Sequence, residues 1–486
     1  MIMAQERAFL KAKQQLQAME VFVEQAADDE QRIDQVEREL FNRLLAIGRT
    51  LLEAFVAVQG DGDAGSKLPT PDGRTLRRLK RKHTRRYLSI FGEILLRRWV
   101  YAKREKQRIE RAPLDERLGL PASEFSYVLE DWLQRLCVKE SFHEAVTSLE
   151  TLLGVAPSER SAEQMNQRLA EHAEAFGAQQ AAPPPDEEAE ILVATADGKG
   201  VPMRRPLEER VRRGPRRVKG EKSNKKQMAY VGAVYTIDRF RRTADEVVDE
   251  IARKERAADR PVPQHKQVWA EMTRVSQGAS CTGRQRLFVE MAIAAHQRDP
   301  TRKKTLVCLM DGEAALWGVQ HEWLPRAVGV LDLFHVLERL WQAAHVFHRE
   351  GSRQAEEFVT HHLRMLLEGK VGYVIGRLKR LRDEHALRGS RRRTVSAAIG
   401  YYQNNRQHMR YDEYLAAGYP IGSGVAEGAC RHVVKDRLEQ TGMRWTVGGA
   451  QAMLHLRAIY LNGHWNEFVN YRIDTEQDTL YRRSAA

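Results

Sequence analysis

The apolar pattern changes its period near residue 190, and that change limits the fold more than any other feature. Before it, apolar residues recur at spacings of three and four. AMEVFVEQA and VERELFNRLLAIGRTLLEAFVAV predict helices over 4–58, and helices are predicted again over 125–177. After it, short apolar runs alternate with helical patterns. ILVATAD (191–197), QMAYVGAVYTI (227–237) and KTLVCLMDG (304–312) read as buried strands. VGVLDLFHVLERLWQAAHVF (328–347) reads as a strand running into a helix. Helices are predicted at 244–256, 284–297, 353–417 and 447–461, and GYPIGSGVAEGACRHVVKDRLE (418–439) as a glycine turn opening another. Strands alternating with helices predict an α/β domain. The proline-bearing stretch 175–190 is its linker to a mainly helical N-terminal region.

Within that region, 1–59 is expected to be helical and a possible oligomerisation element. GDGDAGSKLPTPDG (60–73) is a loop, and 85–103 is rich in aromatic and β-branched residues, which predicts short strands. Over 142–176, two amphipathic segments flank GVAPSER. Gly154 can end the first, and Ser158 or Ser161 can cap the second. Both a helix-turn-helix and an ordinary helical hairpin fit this pattern.

Charge narrows the partner. Lys and Arg number 79 against 66 Asp and Glu, a net charge of +13. The excess is concentrated in three windows: 74–106 (net +11), 201–226 (net +8) and 377–393 (net +6). The rest of the chain is therefore acidic. Basic patches on an acidic body point to phosphate contacts, with Arg77, Arg78, Lys80, Arg81, Arg204 and Arg205 the expected DNA-binding residues of the first two windows. Other classes recede. No apolar run approaches the roughly 18 residues of a membrane span. The N-terminus lacks the apolar core of a signal peptide. Cys137, Cys281, Cys308 and Cys430 form no CxxC pair, which disfavours a disulfide framework or a four-Cys zinc site. A reduced cytoplasmic setting, with no membrane, is expected.

Two predicted strands end alike, in Thr195-Ala196-Asp197-Gly198 and in Leu309-Met310-Asp311-Gly312. One such Asp is readily turn chemistry. Two at the C-terminal edge of a sheet can converge on a divalent cation. Glu427 follows Gly422-Ser423-Gly424 near a helix start, where the helix dipole favours a carboxylate. Arg431 and Lys435 follow it at i+4 and i+8, the spacing of one helix face. Three carboxylates with flanking bases suit Mg²⁺ beside a phosphodiester.

ATADGKGVPMRR, LMDGE, LDLFH and GYPIGSGVAEGACRHVVKDRLEQTGMRW closely resemble bacterial insertion-sequence DDE transposases of the ISKra-like group, over roughly 110–465. The resemblance implies an RNase H-like mixed sheet of retroviral-integrase type. It implies Asp197, Asp311 and Glu427 as a metal-binding catalytic triad for two Mg²⁺ ions, with Mn²⁺ as a substitute. Asp332 and His335 of LDLFH would be an accessory pair, the alternative being a helix cap and a packed imidazole. Residues 336–415 would be a helical insertion between 190–335 and 416–465 of the catalytic domain, with 466–486 a tail. Arg444 and Trp445 would contact DNA, Trp445 by base stacking, the alternative being a core Trp beside a surface Arg. The implied activity is binding of terminal inverted repeats, 3′-end cleavage and strand transfer by a homodimer or higher oligomer on double-stranded DNA. A structure-selective nuclease and a catalytically silent repressor are the alternatives. Group members often carry a Cys pair after an Arg-aromatic segment; here 98–106 has none, which removes the basis for a zinc element there.

Overall fold

The computed structural model describes residues 2–70, 72–204, 226–253, 259–276, 279–422, 424–440 and 442–482. It forms two compact units, residues 1–176 with 464–486, and residues 177–463.

The first unit opens with α1 (Ile2–Asp28) and α2 (Ile33–Val58), which run antiparallel. Arg43 on α2 donates to the Ala18 carbonyl at 3.2 Å and lies over the Phe22 ring. Short strands β1 (Lys67–Pro69), β2 (Thr75–Arg78), β3 (His83–Ser89), β4 (Gly92–Arg98) and β5 (Tyr101–Ala102) follow. β1, β2 and β5 form one sheet, and β3 and β4 a hairpin. On β4 burial alternates: Ile94 and Leu96 turn inward against Leu52 and Val56 of α2. After α3 (Pro113–Arg117), helices α4 (Tyr127–Cys137), α5 (Phe142–Leu153) and α6 (Glu159–Ala170) pack around Leu129, Leu133, Leu149 and Met165. Their ends agree with the local chemistry. Ser141 and Glu144 make a reciprocal capping box, Gly154 closes α5 at φ 68°, and Ser158 rather than Ser161 caps α6. A short α7 (Ala173–Gly177) ends the region.

The second unit is a five-stranded mixed sheet between helical layers. Its strands are β6 (Ile191–Pro202), β7 (Lys226–Ile237), β8 (Gln264–Met272), β11 (Thr305–Met310) and β12 (Val328–Leu331); β9 (Arg274–Ser276) and β10 (Ala279–Cys281) form a separate ribbon. The sheet order is β12-β11-β6-β7-β8. β6, β11 and β12 are parallel, whereas β7 is antiparallel to both β6 and β8. Alternate residues of the strands enter different cores. Ile191, Val193, Val307, Leu309 and Val330 share one with the helical region. Leu192, Ala194, Ala196, Cys308 and Met310 face Leu287, Phe288 and Met291 of α9 (Gly283–Arg298) and Leu316 of α10 (Ala314–Trp323). α8 (Ala244–Arg253) packs on the first core through Val247 and Val248.

The helical stretch after β12 comprises α11 (Leu333–Phe347), α12 (Arg353–Leu367), α13 (Val371–Glu384), α14 (Gly389–Asn405) and α15 (Tyr411–Ala417). α16 (Gly424–Ala429) carries Glu427 and runs into a π-helical turn, Cys430–Lys435. α17 (Val447–Leu461) covers the edge strand β8. Gln451 accepts from the Met272 amide at 2.8 Å and donates to the Ala270 carbonyl at 3.0 Å; Asn462 does the same for Val268. These side chains satisfy an edge that would otherwise be open to pairing.

Three expectations change. β8 was not anticipated from the sequence. Residues 466–486, expected as a tail, begin with helix α18 (Trp465–Gln477) of the first unit, where the Trp465 indole donates to Asp131 at 2.7 Å and Phe176 packs on Phe468. The expected loop 201–226 begins as strand up to Pro202, and most of it, 205–225 with Arg205, lies outside the described residues.

Candidate active site on the mixed sheet

Strand register decides which carboxylates meet. Ala196 on β6 is paired with Met310 on β11, and Met310 with Leu331 on β12. The next residues along these three parallel strands are Asp197, Asp311 and Asp332. Adjacent strands lie about 4.8 Å apart, so three aspartates stand in a row: Asp311 and Asp332 directly follow β11 and β12, whereas Asp197, expected to end its strand, lies within β6, which runs on to Pro202 paired with β7. The Asp332 amide donates to the Met310 carbonyl at 2.8 Å, extending the ladder to that position.

Their environments differ. Asp197 accepts from its neighbour's amide, Gly198, at 2.6 Å, and from the Cys430 thiol. Asp311 accepts from the Glu313 amide at 3.0 Å. Burial raises the Asp311 carboxyl above the usual range, and the charges of Asp197 and Asp332 push the same way while His335 opposes them. Asp332 is fully buried and caps α11 by accepting from the Phe334 amide at 2.9 Å. His335 approaches Asp332 at 3.9 Å and Glu338 at 3.9 Å. Asp332 is thus a helix cap, the structural alternative for this pair, though it also sits beside Asp311.

Glu427 is placed by its backbone; its side chain lies outside the described residues. Its helix, α16, packs against β6 and β7, and Cys430, three residues on, meets Asp197. Burial, then the Asp197 charge, raise the Cys430 thiol. Arg431 and Lys435, expected at i+4 and i+8 from Glu427, lie in the π-helical turn that starts at Cys430. Both are exposed.

Glu313 was missed by sequence reasoning, although LMDGE contains it. Burial raises its carboxyl, as does the charge of Asp311; Arg284 and the Tyr230 hydroxyl, 3.5 Å away, oppose the shift. The Asp-Gly pairs also have a second cause. A Cβ on Gly312 would come within 2.7 Å of Asn405 Nδ2 and would collide with the Tyr401 ring. The glycine therefore lets the Asp311 turn approach α14, rather than serving a left-handed turn.

Trp445 takes the core alternative. It is 7% exposed, its indole donates to the Leu438 carbonyl at 3.1 Å, and the buried Arg437 guanidinium lies over its ring. Its backbone bridges to Met203, so it serves the core and presents no face for a base. Arg444 and Arg204 are exposed beside it. In the first unit, Arg77, Lys80 and Arg81 are exposed, whereas Arg78 pairs with Asp63 and lies over the Trp99 ring.

The donors fit a hard divalent cation. Asp197 and Asp311 supply oxygens side by side, and the upward push of one charge on the other is what a bound cation would relieve. Among the described residues no three His, Cys, Asp or Glu side chains form a metal-holding group. Also among the described residues, no helix is long and apolar enough to cross a membrane. No family model matches the chain, and no curated protein matches it significantly.

Proposed function

We propose that the chain is a DDE transposase whose catalytic domain is RNase H-like and whose metal ligands are Asp197, Asp311 and Glu427. The observation that carries this reading is the register that sets Asp197 beside Asp311, with the Glu427 helix packed on the strand that bears Asp197. The mixed five-stranded sheet followed by a run of helices agrees with the architecture implied by the sequence resemblance. Mg²⁺, or Mn²⁺ in its place, would supply Lewis acidity for in-line displacement at phosphorus.

The chain's own residues then have distinct tasks. Asp197, Asp311 and Glu427 hold the cations. Asp332 fixes the start of α11 and the edge beside Asp311. Exposed Arg204, Arg431, Lys435 and Arg444 hold phosphates of the double-stranded DNA near the site, and the basic strands of the first unit bind the inverted repeats. The reaction is hydrolysis at the element's 3′ ends followed by attack of the freed hydroxyls on target DNA, with two ends joined by a protein dimer or higher oligomer.

Precleaved end DNA incubated with the full chain, target plasmid and Mg²⁺ should give covalently joined product. Cleavage without joining would leave a structure-selective nuclease. Binding without divalent-dependent nicking would leave a repressor.

A further inference from the structure

The α1–α2 hairpin of the first unit presents an apolar face that, among the described residues of that unit, is met only at Gly48, by Phe91. On α2, Phe41, Leu44, Gly48, Leu51, Phe55 and Val58 recur at three, four, three, four and three. This is the strict a/d spacing of a helix seam, which needs a facing helix. The seam is not the one used by α1. That contact runs along Arg43, Thr50 and Ala54, where Arg43 touches Phe22 and Ala18 and the other two are buried. Nor is it the side facing the β-hairpin, which is taken by Leu52 and Val56. The five large residues of the seam stay exposed, from 37% at Val58 to 53% at Leu44. At Gly48 the half-buried Phe91 ring fills the gap and continues the apolar surface.

α1 adds a matching stripe. Phe9, Leu16 and Val23 recur every seven residues and are exposed, beside the buried Ala12 and Ala26. Each stripe lies roughly a quarter turn from the α1–α2 contact, in the same rotational sense at 3.6 residues per turn. Because the helices are antiparallel, equal offsets fall on one side of the hairpin. The two stripes form one face about 26 Å long along α2, from Phe41 to Val58 at 1.5 Å per residue.

We propose that this face is the contact between two copies of the chain, which join their hairpins into a four-helix bundle. Eight half-exposed large side chains offer on the order of 700 Å² of apolar surface per copy, close to the roughly 800 Å² per partner of a stable interface. A heptad seam on an antiparallel hairpin is also self-complementary about a two-fold axis. From Leu40 to Val58 this face carries no charged residue, which disfavours a polyanion as its occupant.

Sedimentation equilibrium of the full chain at micromolar concentration, without DNA or divalent ions, tests this apart from any catalytic reading. The wild type should show twice 55.8 kDa. Leu44→Asp/Leu51→Asp should run as a monomer, with unchanged far-UV circular dichroism because both positions are exposed in the single chain. The milder Leu44→Gln/Leu51→Gln pair should raise the dissociation constant at least tenfold. Leu10→Asp, on another side of α1, should leave the mass doubled. A monomeric wild type, a doubled mass in Leu44→Asp/Leu51→Asp, an unweakened Gln pair or a monomeric Leu10→Asp would overturn the proposal.

Discussion

Asp332 and Trp445 have roles set by burial. The Asp332 carboxylate is spent partly on the Phe334 amide, so Asp332→Asn should keep the cap, since Asn caps about as well as Asp. Asp332→Ala should lower stability by about 1–2 kcal/mol, read as a lower urea midpoint. An Ala variant as stable as the Asn variant would remove the capping role. Trp445→Ala should destabilise by about 3–5 kcal/mol, because it empties a buried site and removes the ring beneath the Arg437 guanidinium. A Trp445→Ala protein with wild-type stability and weakened DNA binding would restore the stacking reading. The sequence showed Trp445 only as an aromatic beside an arginine. Its role is decided by Leu438 and Met203, the latter 242 residues away in the chain. Glu313 escaped notice similarly, since Tyr230 and Arg284 reach it only through the sheet and α9.

At the scale of elements, what the sequence disclosed follows from period and caps. β6, β7, β11 and β12 were legible because apolar runs bounded by turn residues have few other uses, and α17 was legible to the residue. β8 was not, because its first residues are polar and exposed. The π-helical turn after Cys430 carries no local signal; it arises where α16 gives way to the next turn against β6 and β7. The helical region also holds a pH dependence. His362 on α12 is buried, its ring Nδ1 donates to the Phe358 carbonyl at 2.7 Å, and burial lowers it below its ordinary value of 6.5. It is therefore neutral in the fold. Below pH 6.5 the unfolded chain takes up a proton that the folded chain refuses, so stability is full above that pH and falls toward the lower folded value. Thermal melts between pH 7.5 and 5 should drop less steeply for His362→Leu than for the wild type. Parallel curves would assign the acid sensitivity elsewhere.

For the whole molecule, the excess of +13 is a sum over opposed regions, with basic windows at 74–106, 201–226 and 377–393 on an acidic body. If 201–226 contacts phosphate, replacing Arg210, Arg212, Arg213, Arg216 and Arg217 by Gln should flatten the dependence of log K on log salt by up to about 4.5 units, near 0.9 per lost contact. An unchanged slope would place that window off the DNA. The central claim concerns the row of carboxylates, and cleavage of end DNA by Asp197→Ala, Asp311→Ala and Glu427→Ala tests it most directly. The account predicts that each variant loses Mg²⁺-dependent cleavage by at least a thousandfold while binding end DNA within about threefold of wild type, and cleavage persisting in any of the three would contradict it.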